Sequence, residues 1–249
     1  MTALYVVSDV HGHLDDLRRV LSEAGLTDGD GSWAGEDAEL WLLGDMVDRG
    51  PDGIGVVRLM RSLQQQAPDR VHVLMGNHEA LAVAMNRFPT GRIADIWLIN
   101  CGRPEDQDGL TEDEVRWLAE LPAMGRVGDY LLTHSDVLAY LKWGTSVEEV
   151  NEAVRAELAE PHTEGAHWGM WATLTGRYDY AGRDGAEHAS RMLETYGGDC
   201  LVHGHSIIGS LLGVPSVQVD APIMYAGGQV IAIDGGRYDG GPLLLVRLD

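Results

Sequence analysis

Residues 40–50 read LWLLGDMVDRG, a short apolar run followed by a polar loop. An apolar run of four residues that ends at a glycine has the length of a buried strand and is too short for a buried helix. The loop behind it places two aspartates and one arginine between glycines. A buried strand followed by such a loop is typical of an α/β fold. Open α/β sheets bind their ligands at the carboxyl ends of strands, so residues 44–50 are predicted to be a binding loop.

The same order of strand, polar loop and helix is found on both sides of this segment. Residues 4–7 are apolar and precede a helical pattern at residues 14–21, and residues 71–75 precede another at 80–85. A further helical pattern lies between these units, over residues 54–63. Strands that alternate with helices in this way form parallel pairs, so the sequence predicts an α/β protein.

The middle of the chain has a different character. Between about residues 88 and 128 strand signals are few and helix signals dominate, including the capping box TEDE at residues 111–114. A second capping pattern begins a helix that runs to about residue 159. Further strands are expected at residues 130–133, 200–202, 214–219, 230–233 and 243–248. We therefore predict a single domain over residues 1–249 with a helical insertion or cap at about 88–128.

The charge of the chain restricts its partners. There are 18 basic and 39 acidic residues, which give a formal net charge of −21. Such a chain is repelled by nucleic acids and by anionic membranes, so neither is expected as a partner. Lys142 is the only lysine of the sequence, which excludes a phosphate-binding loop of the GxxxxGK[ST] type. Any phosphate must then be bound by arginine, backbone amides or a metal ion.

The sequence also predicts the compartment. No apolar run approaches the roughly 18 residues needed to span a bilayer. Residues 1–7 carry no basic leader, and Asp9 and His11 follow at once. Cys101 and Cys200 are too few for a disulfide framework and lack CxxC spacing. These features predict a cytoplasmic protein.

Side chains of the kinds that bind metal ions follow each of five predicted strands. They are Asp9 and His11, Asp45 and Asp48, Asn77 and His78, His134, and finally His203 and His205. Five loops of this kind can converge on one edge of a sheet. The set contains carboxylate, imidazole and amide oxygen but no thiolate, which suits manganese, iron or zinc in mixed oxygen and nitrogen coordination.

These blocks resemble the calcineurin-like metallophosphoesterases, particularly the branch that contains serine/threonine protein phosphatases and symmetrical diadenosine tetraphosphatases. That branch reads GDxHG, GDxVDRG, GNHE, a lone histidine and GH, and the matching residues here are 8–12, 44–50, 76–79, His134 and 204–205. The resemblance extends through residues 233–236. Ser8 replaces the first glycine, and Ile207 stands where the wider superfamily often has a second histidine. The resemblance implies a central two-sheet β-sandwich flanked by helices.

The resemblance further implies a site with two divalent metal ions. Asp9 and His11 would bind the first ion, Asp45 would bridge both, and the second ion would be completed by Asn77, His134 and His205. Two cations about 4 Å apart need a shared anion to offset their repulsion, and a bridging carboxylate supplies it. Manganese is the first expectation for both ions, with iron or zinc as alternatives.

The catalytic groups are implied in the same way. His78 would protonate the leaving group while Asp48 holds its ring, and Arg49 would bind the phosphoryl oxygens through its planar fork. Arg177 is the first candidate for a second arginine in the cleft, and Arg183 is the next candidate.

Several neighbouring residues keep two interpretations each. Asp136 is expected close enough to the site either to repel an anionic substrate or to contact a basic one. His203 is either a hydrogen-bonding neighbour or a ligand, and Glu79 is either a catalyst or, as expected first, a first-turn carboxylate of a helix or a hydrogen-bond partner of the site. Trp168 and Trp171 belong either to the core, which is the default, or to the wall of a substrate pocket.

The predicted activity is hydrolysis of phosphomonoesters by direct attack of a metal-bound hydroxide. The first expectation is a serine/threonine protein phosphatase. The alternative is a hydrolase of dinucleoside polyphosphates, such as diadenosine tetraphosphate, or of another small phosphorylated metabolite. The substrate is thus a phosphorylated protein or a small phosphorylated metabolite, and the oligomeric state is open. An alternative of another class is a non-catalytic metal-binding module, which predicts the loss of a ligand or of the general acid.

Overall fold

The computed structural model describes residues 2–159 and 163–248. Its first sheet contains the strands β1 (Leu4–Val7), β2 (Glu39–Leu42), β3 (Val71–Val73) and β9 (Leu245–Arg247). Their order across the sheet is β3–β2–β1–β9. β1, β2 and β3 are parallel, and β9 runs antiparallel to β1. The carboxyl ends of the three parallel strands therefore lie at one edge.

The second sheet contains β4 (Met124–Val127), β5 (Tyr130–Thr133), β6 (Cys200–His203), β7 (Ile223–Tyr225) and β8 (Val230–Ala232). Their order is β4–β5–β6–β8–β7, with β5, β6 and β8 parallel and the two outer strands antiparallel to their neighbours. Residues of both sheets share one buried apolar cluster. The predicted α/β fold with a central two-sheet sandwich is confirmed.

Helices flank both sheets. They are α1 (Leu14–Glu23), α2 (Gly53–Gln66), α3 (Asn77–Arg87), α4 (Arg92–Ile99), α5 (Pro104–Gly109), α6 (Glu112–Ala119), α7 (Val147–Ala159), α8 (Glu164–Leu174), α9 (Gly185–Tyr196) and α10 (Ile208–Leu212). The capping box that the sequence predicts at the start of α6 is present, with reciprocal hydrogen bonds between Thr111 and Glu114. No helix within the described ranges combines the length and the apolar character needed to cross a membrane.

The side chains of β1 and β2 alternate between two apolar layers. Val6 and Trp41 lie in the cluster between the sheets, whereas Val7 and Leu42 lie in the larger cluster that includes the helices. This alternation follows from the two-residue period of a strand. Because both faces of the sheet are covered, the strands are continuous apolar runs rather than alternating apolar and polar residues.

The segment from residue 88 to residue 128 contains a strand as well as helices. α4, α5 and α6 lie within it as expected, but its last part forms β4, which pairs with β5 in a hairpin. The connecting turn begins at Gly128, whose φ of 53° is readily adopted by glycine. The division into one domain with an insertion stays a prediction.

The strand expected at residues 214–219 is wrong. This segment contains a 3₁₀ helix at Ser216–Gln218, which begins after Pro215. Proline lacks an N–H for a sheet, and the Ser216 hydroxyl donates a hydrogen bond to Asp239, 2.7 Å away. The outer strand of this sheet is instead β7. α8 and α9 occupy a region to which the sequence analysis assigned no element.

Candidate active site

The predicted site residues adopt a backbone conformation that side chains with a Cβ rarely adopt. Positive φ values are found at Asp9 (50°), His11 (42°), Asp45 (58°), Asp48 (66°), Arg49 (65°) and His205 (60°). Left-handed conformations of this kind cost energy and concentrate at functional sites. Here they turn the side chains that follow β1, β2 and β6 towards one another at the edge of the sandwich.

Hydrogen bonds between the loops hold this conformation. The N–H of His11 donates to the Asp45 carbonyl at 2.9 Å, and the N–H of Gly12 donates to the Met46 carbonyl at 2.8 Å. The loops after β1 and β2 therefore remain paired beyond the sheet. A Cβ on Gly204 would collide with the side chains of Ser8 and Asp9, so a third loop approaches closely only because this residue is glycine.

One group of donors lies where the sequence predicts the second metal ion. Single donor atoms of Asp9, Asp45, His134 and His205 all lie within 4.8 Å of one another, and all four residues are buried. The Nε2 atom of His134 also lies 3.0 Å from the side-chain oxygen of Asn77. The structure thus brings together five of the six predicted ligands in this group.

A second group shares Asp45 with the first. It joins His11, Asp45 and His78, with the Nε2 atom of His11 lying 3.4 Å from Asp45 Oδ2. The position of Asp45 between the two groups is the one expected of a bridging ligand. Asp9 falls into the first group by distance, whereas the resemblance assigns it to the ion held by His11.

Hydrogen bonds fix which nitrogen of each histidine faces the site. His11 Nδ1 donates to the Val47 carbonyl at 3.0 Å, and His134 Nδ1 donates to the Leu43 carbonyl at 2.8 Å. His205 Nε2 donates to the Thr175 carbonyl at 3.1 Å. The opposite nitrogen of each ring is left with a lone pair directed into the site. Hydrogen bonds of this kind orient histidines that bind metal ions.

Buried polar atoms without a hydrogen-bond partner show whether this site suits metal ions. Among the described residues, His11 Nε2, His205 Nδ1 and Asp45 Oδ2 are buried and have no hydrogen-bond partner. Buried polar atoms without a partner are costly, and here every one of them is an electron-pair donor. Burial lowers the pKa of His11 and of His205 well below the usual range, which keeps both rings neutral and able to bind a cation. The donor set fits divalent cations.

The two aspartates also favour a cation. Burial and the neighbouring Asp45 carboxylate raise the pKa of Asp9. Two buried carboxylates this close repel each other, and a divalent cation between them would remove the repulsion.

His78 forms a buried pair with Asp48. Its Nδ1 atom lies 2.8 Å from Asp48 Oδ2, and no described residue hydrogen-bonds its Nε2 atom. Burial disfavours the charged ring, but the carboxylates of Asp45 and Asp48 outweigh it and raise the pKa of His78. An imidazole held in this way can carry a proton at Nε2 and deliver it into the site.

Glu79 ties two of the loops together. Its carboxylate accepts hydrogen bonds from the N–H groups of Asp45 at 2.7 Å, Met46 at 2.7 Å and Gly76 at 3.0 Å. The side chain is fully buried at the start of α3. Glu79 is thus both a first-turn carboxylate of α3 and a hydrogen-bond partner that positions the Asp45 loop.

Two arginines lie at the site. The guanidinium of Arg49 lies 4.0 Å from the centre of the Tyr238 ring, and this ring makes an edge contact with the His11 ring. Arg177 donates a hydrogen bond to the backbone carbonyl of His205. Arg183, the second candidate for an arginine of the cleft, is exposed in the turn before α9.

Tyr238 and Asp234 are site residues that the sequence analysis missed. Asp234 is 2% exposed, and one of its oxygens accepts from the N–H of Gly236 while the other has no partner among the described residues. Burial and the nearby Asp9 carboxylate raise the pKa of Asp234 well above its usual range. For Asp234 the only signal was the extension of the resemblance through residues 233–236, which gave this side chain no role, and no signal pointed to Tyr238.

Asp136 and His203, two further residues near the predicted ligands, both hydrogen-bond to neighbouring parts of the protein. Asp136 is fully buried and accepts from the hydroxyl of Ser206 at 2.5 Å and from the N–H of Tyr178 at 2.9 Å. Direct contact with a basic substrate, one of the two expectations for Asp136, is therefore excluded, because both of its oxygens bind the protein; repulsion of an anionic substrate stays a prediction. His203 uses both ring nitrogens in hydrogen bonds, to the Gly204 carbonyl and the Tyr225 hydroxyl, and is a hydrogen-bonding neighbour.

Trp171 belongs to the core, as the default interpretation has it, whereas Trp168 is only partly buried. Trp171 is buried in an apolar cluster with residues of α3 and α4. Trp168 packs against this cluster, and its ring lies 3.5 Å from the guanidinium carbon of Arg92.

Comparison with known proteins agrees with this fold and this site. A model of the calcineurin-like phosphoesterase family matches residues 2–209. The chain belongs to this family.

Relatives with assigned activities match parts of the chain. The symmetrical bis(5'-nucleosyl)-tetraphosphatase of Hamiltonella defensa is 27% identical over 175 residues, which cover 66% of this chain and 58% of that protein. The enzyme of the same name from Pectobacterium carotovorum is 36% identical over 125 residues, which cover 48% of this chain and 37% of that protein. The matched regions thus span about half the length of these relatives.

A solved structure matches the whole chain. The cold-active protein-tyrosine phosphatase of a psychrophilic Shewanella species superposes with a TM-score of 0.75 over 100% of this chain and 76% of that one. The two sequences are 22% identical, so the likeness is one of fold.

Proposed function

We propose that this enzyme hydrolyses dinucleoside polyphosphates of the diadenosine tetraphosphate type symmetrically, to two nucleoside diphosphates. The observation that carries the proposal is the identity of 36% with a protein named as a symmetrical tetraphosphatase. A hydrolase of dinucleoside polyphosphates is the alternative that the sequence left open beside a protein phosphatase. The first expectation, a serine/threonine protein phosphatase, has no specific support, because the likeness to a protein phosphatase above is one of fold.

The metal ligands of the proposed reaction are the six that the sequence predicts. Asp45 would bridge two cations, and the others would be Asp9, His11, Asn77, His134 and His205. Bound divalent cations lower the pKa of a water molecule towards neutrality and offset the charge of the phosphoryl group. The net charge of −21 makes this local reversal of sign essential for a polyanionic substrate. Manganese and a cytoplasmic location stay predictions.

The side chains around these ligands would handle the proton and the phosphate. His78 holds a proton at Nε2 for the leaving oxygen, and Asp48 fixes the ring through Nδ1. Arg49 binds phosphoryl oxygens with a guanidinium already oriented by the Tyr238 ring. Arg177 contributes a second positive charge beside His205. A non-catalytic module is disfavoured, because every predicted ligand and the predicted general acid are present.

The test is a comparison of substrates on manganese-loaded protein. Diadenosine tetraphosphate and a phosphothreonine peptide are supplied at equal concentration, with Asp45→Asn as the blank. We expect the dinucleotide to give ADP as the sole nucleotide product and to be turned over faster than the peptide. Preference for the peptide would contradict the proposal and favour a protein phosphatase, while activity that persists in Asp45→Asn would contradict the proposed site.

A further inference from the structure

The segment from residue 100 to residue 106 packs against the binding loop at residues 44–50. The carbonyl of Cys101 accepts the N–H of Arg49 at 3.2 Å, and the N–H of Arg103 donates to Asp48 Oδ1 at 2.9 Å. Asp48 therefore uses one carboxylate oxygen for this segment and the other for His78. The orientation of the Asp48 carboxylate depends on residues far away along the chain.

The side chain of Asp106 also links the two segments. It lies on α5 and is 4% exposed. Its carboxylate accepts the N–H of Asp48 at 2.9 Å with one oxygen and the N–H of Gly53 at 3.1 Å with the other. A single side chain thus bonds both the turn at Asp48 and the first residue of α2. A Cβ on Gly53 would collide with this carboxylate, so glycine is required there.

The turn that Asp106 holds is unfavourable by itself. Asp48 and Arg49 both have left-handed backbones, with φ of 66° and 65°. Two consecutive residues with a Cβ adopt this conformation only where surrounding contacts impose it. The bond from the Asp48 N–H to Asp106 is such a contact. Its loss would let the Asp48 carboxylate rotate away from His78.

We propose that Asp106 is a positioning residue for leaving-group protonation, acting through Asp48 on His78. The proposal rests on the function proposed above, in which His78 supplies the proton. Asp106 lies outside the metal ligands, so its effect concerns the proton rather than metal binding. The helical segment that carries α5 thereby becomes part of the catalytic apparatus.

The test uses substrates that differ in their need for a proton. Phenyl phosphate has a poor leaving group, and p-nitrophenyl phosphate has a good one. Asp106→Asn keeps the shape of the side chain but places an amide N–H₂ against a backbone donor. We expect kcat for phenyl phosphate to fall by about tenfold or more while kcat for p-nitrophenyl phosphate stays within about threefold of the wild type.

The matched control is Asp108→Asn, an exposed residue of the same helix, which should leave both values unchanged. The double variant Asp48→Asn with Asp106→Asn should be no slower on phenyl phosphate than Asp48→Asn alone, because both changes act on one group. Manganese affinity, measured by calorimetry, should equal that of the wild type. Should Asp106→Asn not fold, Asp106→Glu moves the carboxylate by one methylene and takes its place.

Equal slowing of both substrates by Asp106→Asn would overturn the proposal and leave Asp106 a residue of stability alone. His78→Asn separates this failure from a failure of the role proposed for His78. If His78→Asn discriminates between the two esters and Asp106→Asn does not, the inference about Asp106 is wrong and the role of His78 stands. If His78→Asn does not discriminate either, the proposed role of His78 is wrong.

Discussion

The Nε2 atom of His134 lies 3.0 Å from the side-chain oxygen of Asn77, and in a neutral ring neither atom has a proton to offer. The proton of the ring is at Nδ1, which donates to the Leu43 carbonyl. Two lone pairs thus face each other in a fully buried position, beside Asp45. A cation bound by both atoms would resolve the contact, which adds to the indications of a metal site given by the unpartnered donor atoms.

Metal ions should therefore stabilise the fold. Manganese at about 100 times its Kd should raise the free energy of unfolding by about 2.7 kcal/mol for each ion bound, because it binds the folded chain and not the unfolded one. Thermal unfolding with and without chelator measures the effect. Asp45→Asn should show little dependence on manganese. A melting temperature that is independent of manganese in the wild type would contradict the site.

Glu79 should be needed to hold the Asp45 loop. Glu79→Gln replaces one acceptor oxygen with a donor that faces a backbone N–H, and we expect a loss of about 2 kcal/mol in the free energy of unfolding. Urea unfolding of the metal-free protein measures it. Glu187→Gln is the control, an exposed glutamate in the first turn of α9, and should change the stability by less than about 0.5 kcal/mol. Equal effects of both changes would contradict the positioning role.

Gly204 should tolerate no side chain. Gly204→Ala puts a methyl group against Ser8 and Asp9, so we expect loss of manganese binding together with reduced stability. Gly169→Ala, at an exposed helical position with free space around it, should instead raise the stability by about 0.5 to 1 kcal/mol. Calorimetric titration measures manganese binding by the two variants, and thermal unfolding measures their stability. Normal metal binding by Gly204→Ala would contradict the close approach of the Gly204 loop to Ser8 and Asp9.

Arg49 should act through its planar fork. Arg49→Lys keeps the charge but loses the paired donors and the contact with Tyr238, so we expect kcat/KM for diadenosine tetraphosphate to fall by about tenfold or more. Arg183→Lys, at an exposed position, is the matched control and should have no effect. Steady-state kinetics on metal-loaded protein give the comparison. A fully active Arg49→Lys variant would mean that charge alone matters there.

Much of the site could be predicted because its residues follow strands directly. The strand before Gly44 fixes where Asp45 lies, and parallel strands bring such loops to one edge of a sheet. The same reasoning located Asn77 and His134, since each follows a buried apolar run. The six predicted ligands lie together in the structure for this reason.

The residues that were missed reach the site from a distance in sequence. Asp106 contacts Asp48 across 58 positions, and Tyr238 reaches His11 from the far end of the chain. No periodic pattern marks such contacts. The partners of Asp136 could not be predicted for a related reason: nearness to His134 in sequence does not reveal that Ser206 and Tyr178 occupy its two oxygens. The hairpin of β4 was missed because residues 124–127 have little strand character without β5.

The most direct test of the account is hydrolysis of diadenosine tetraphosphate by the manganese-loaded enzyme in water enriched in ¹⁸O, with mass spectrometry of the products. Direct attack of water at the central anhydride predicts two ADP molecules per substrate, one of which carries a single ¹⁸O atom. Products of ATP and AMP would contradict symmetrical cleavage. An absence of turnover by protein that binds manganese would contradict the proposed substrate.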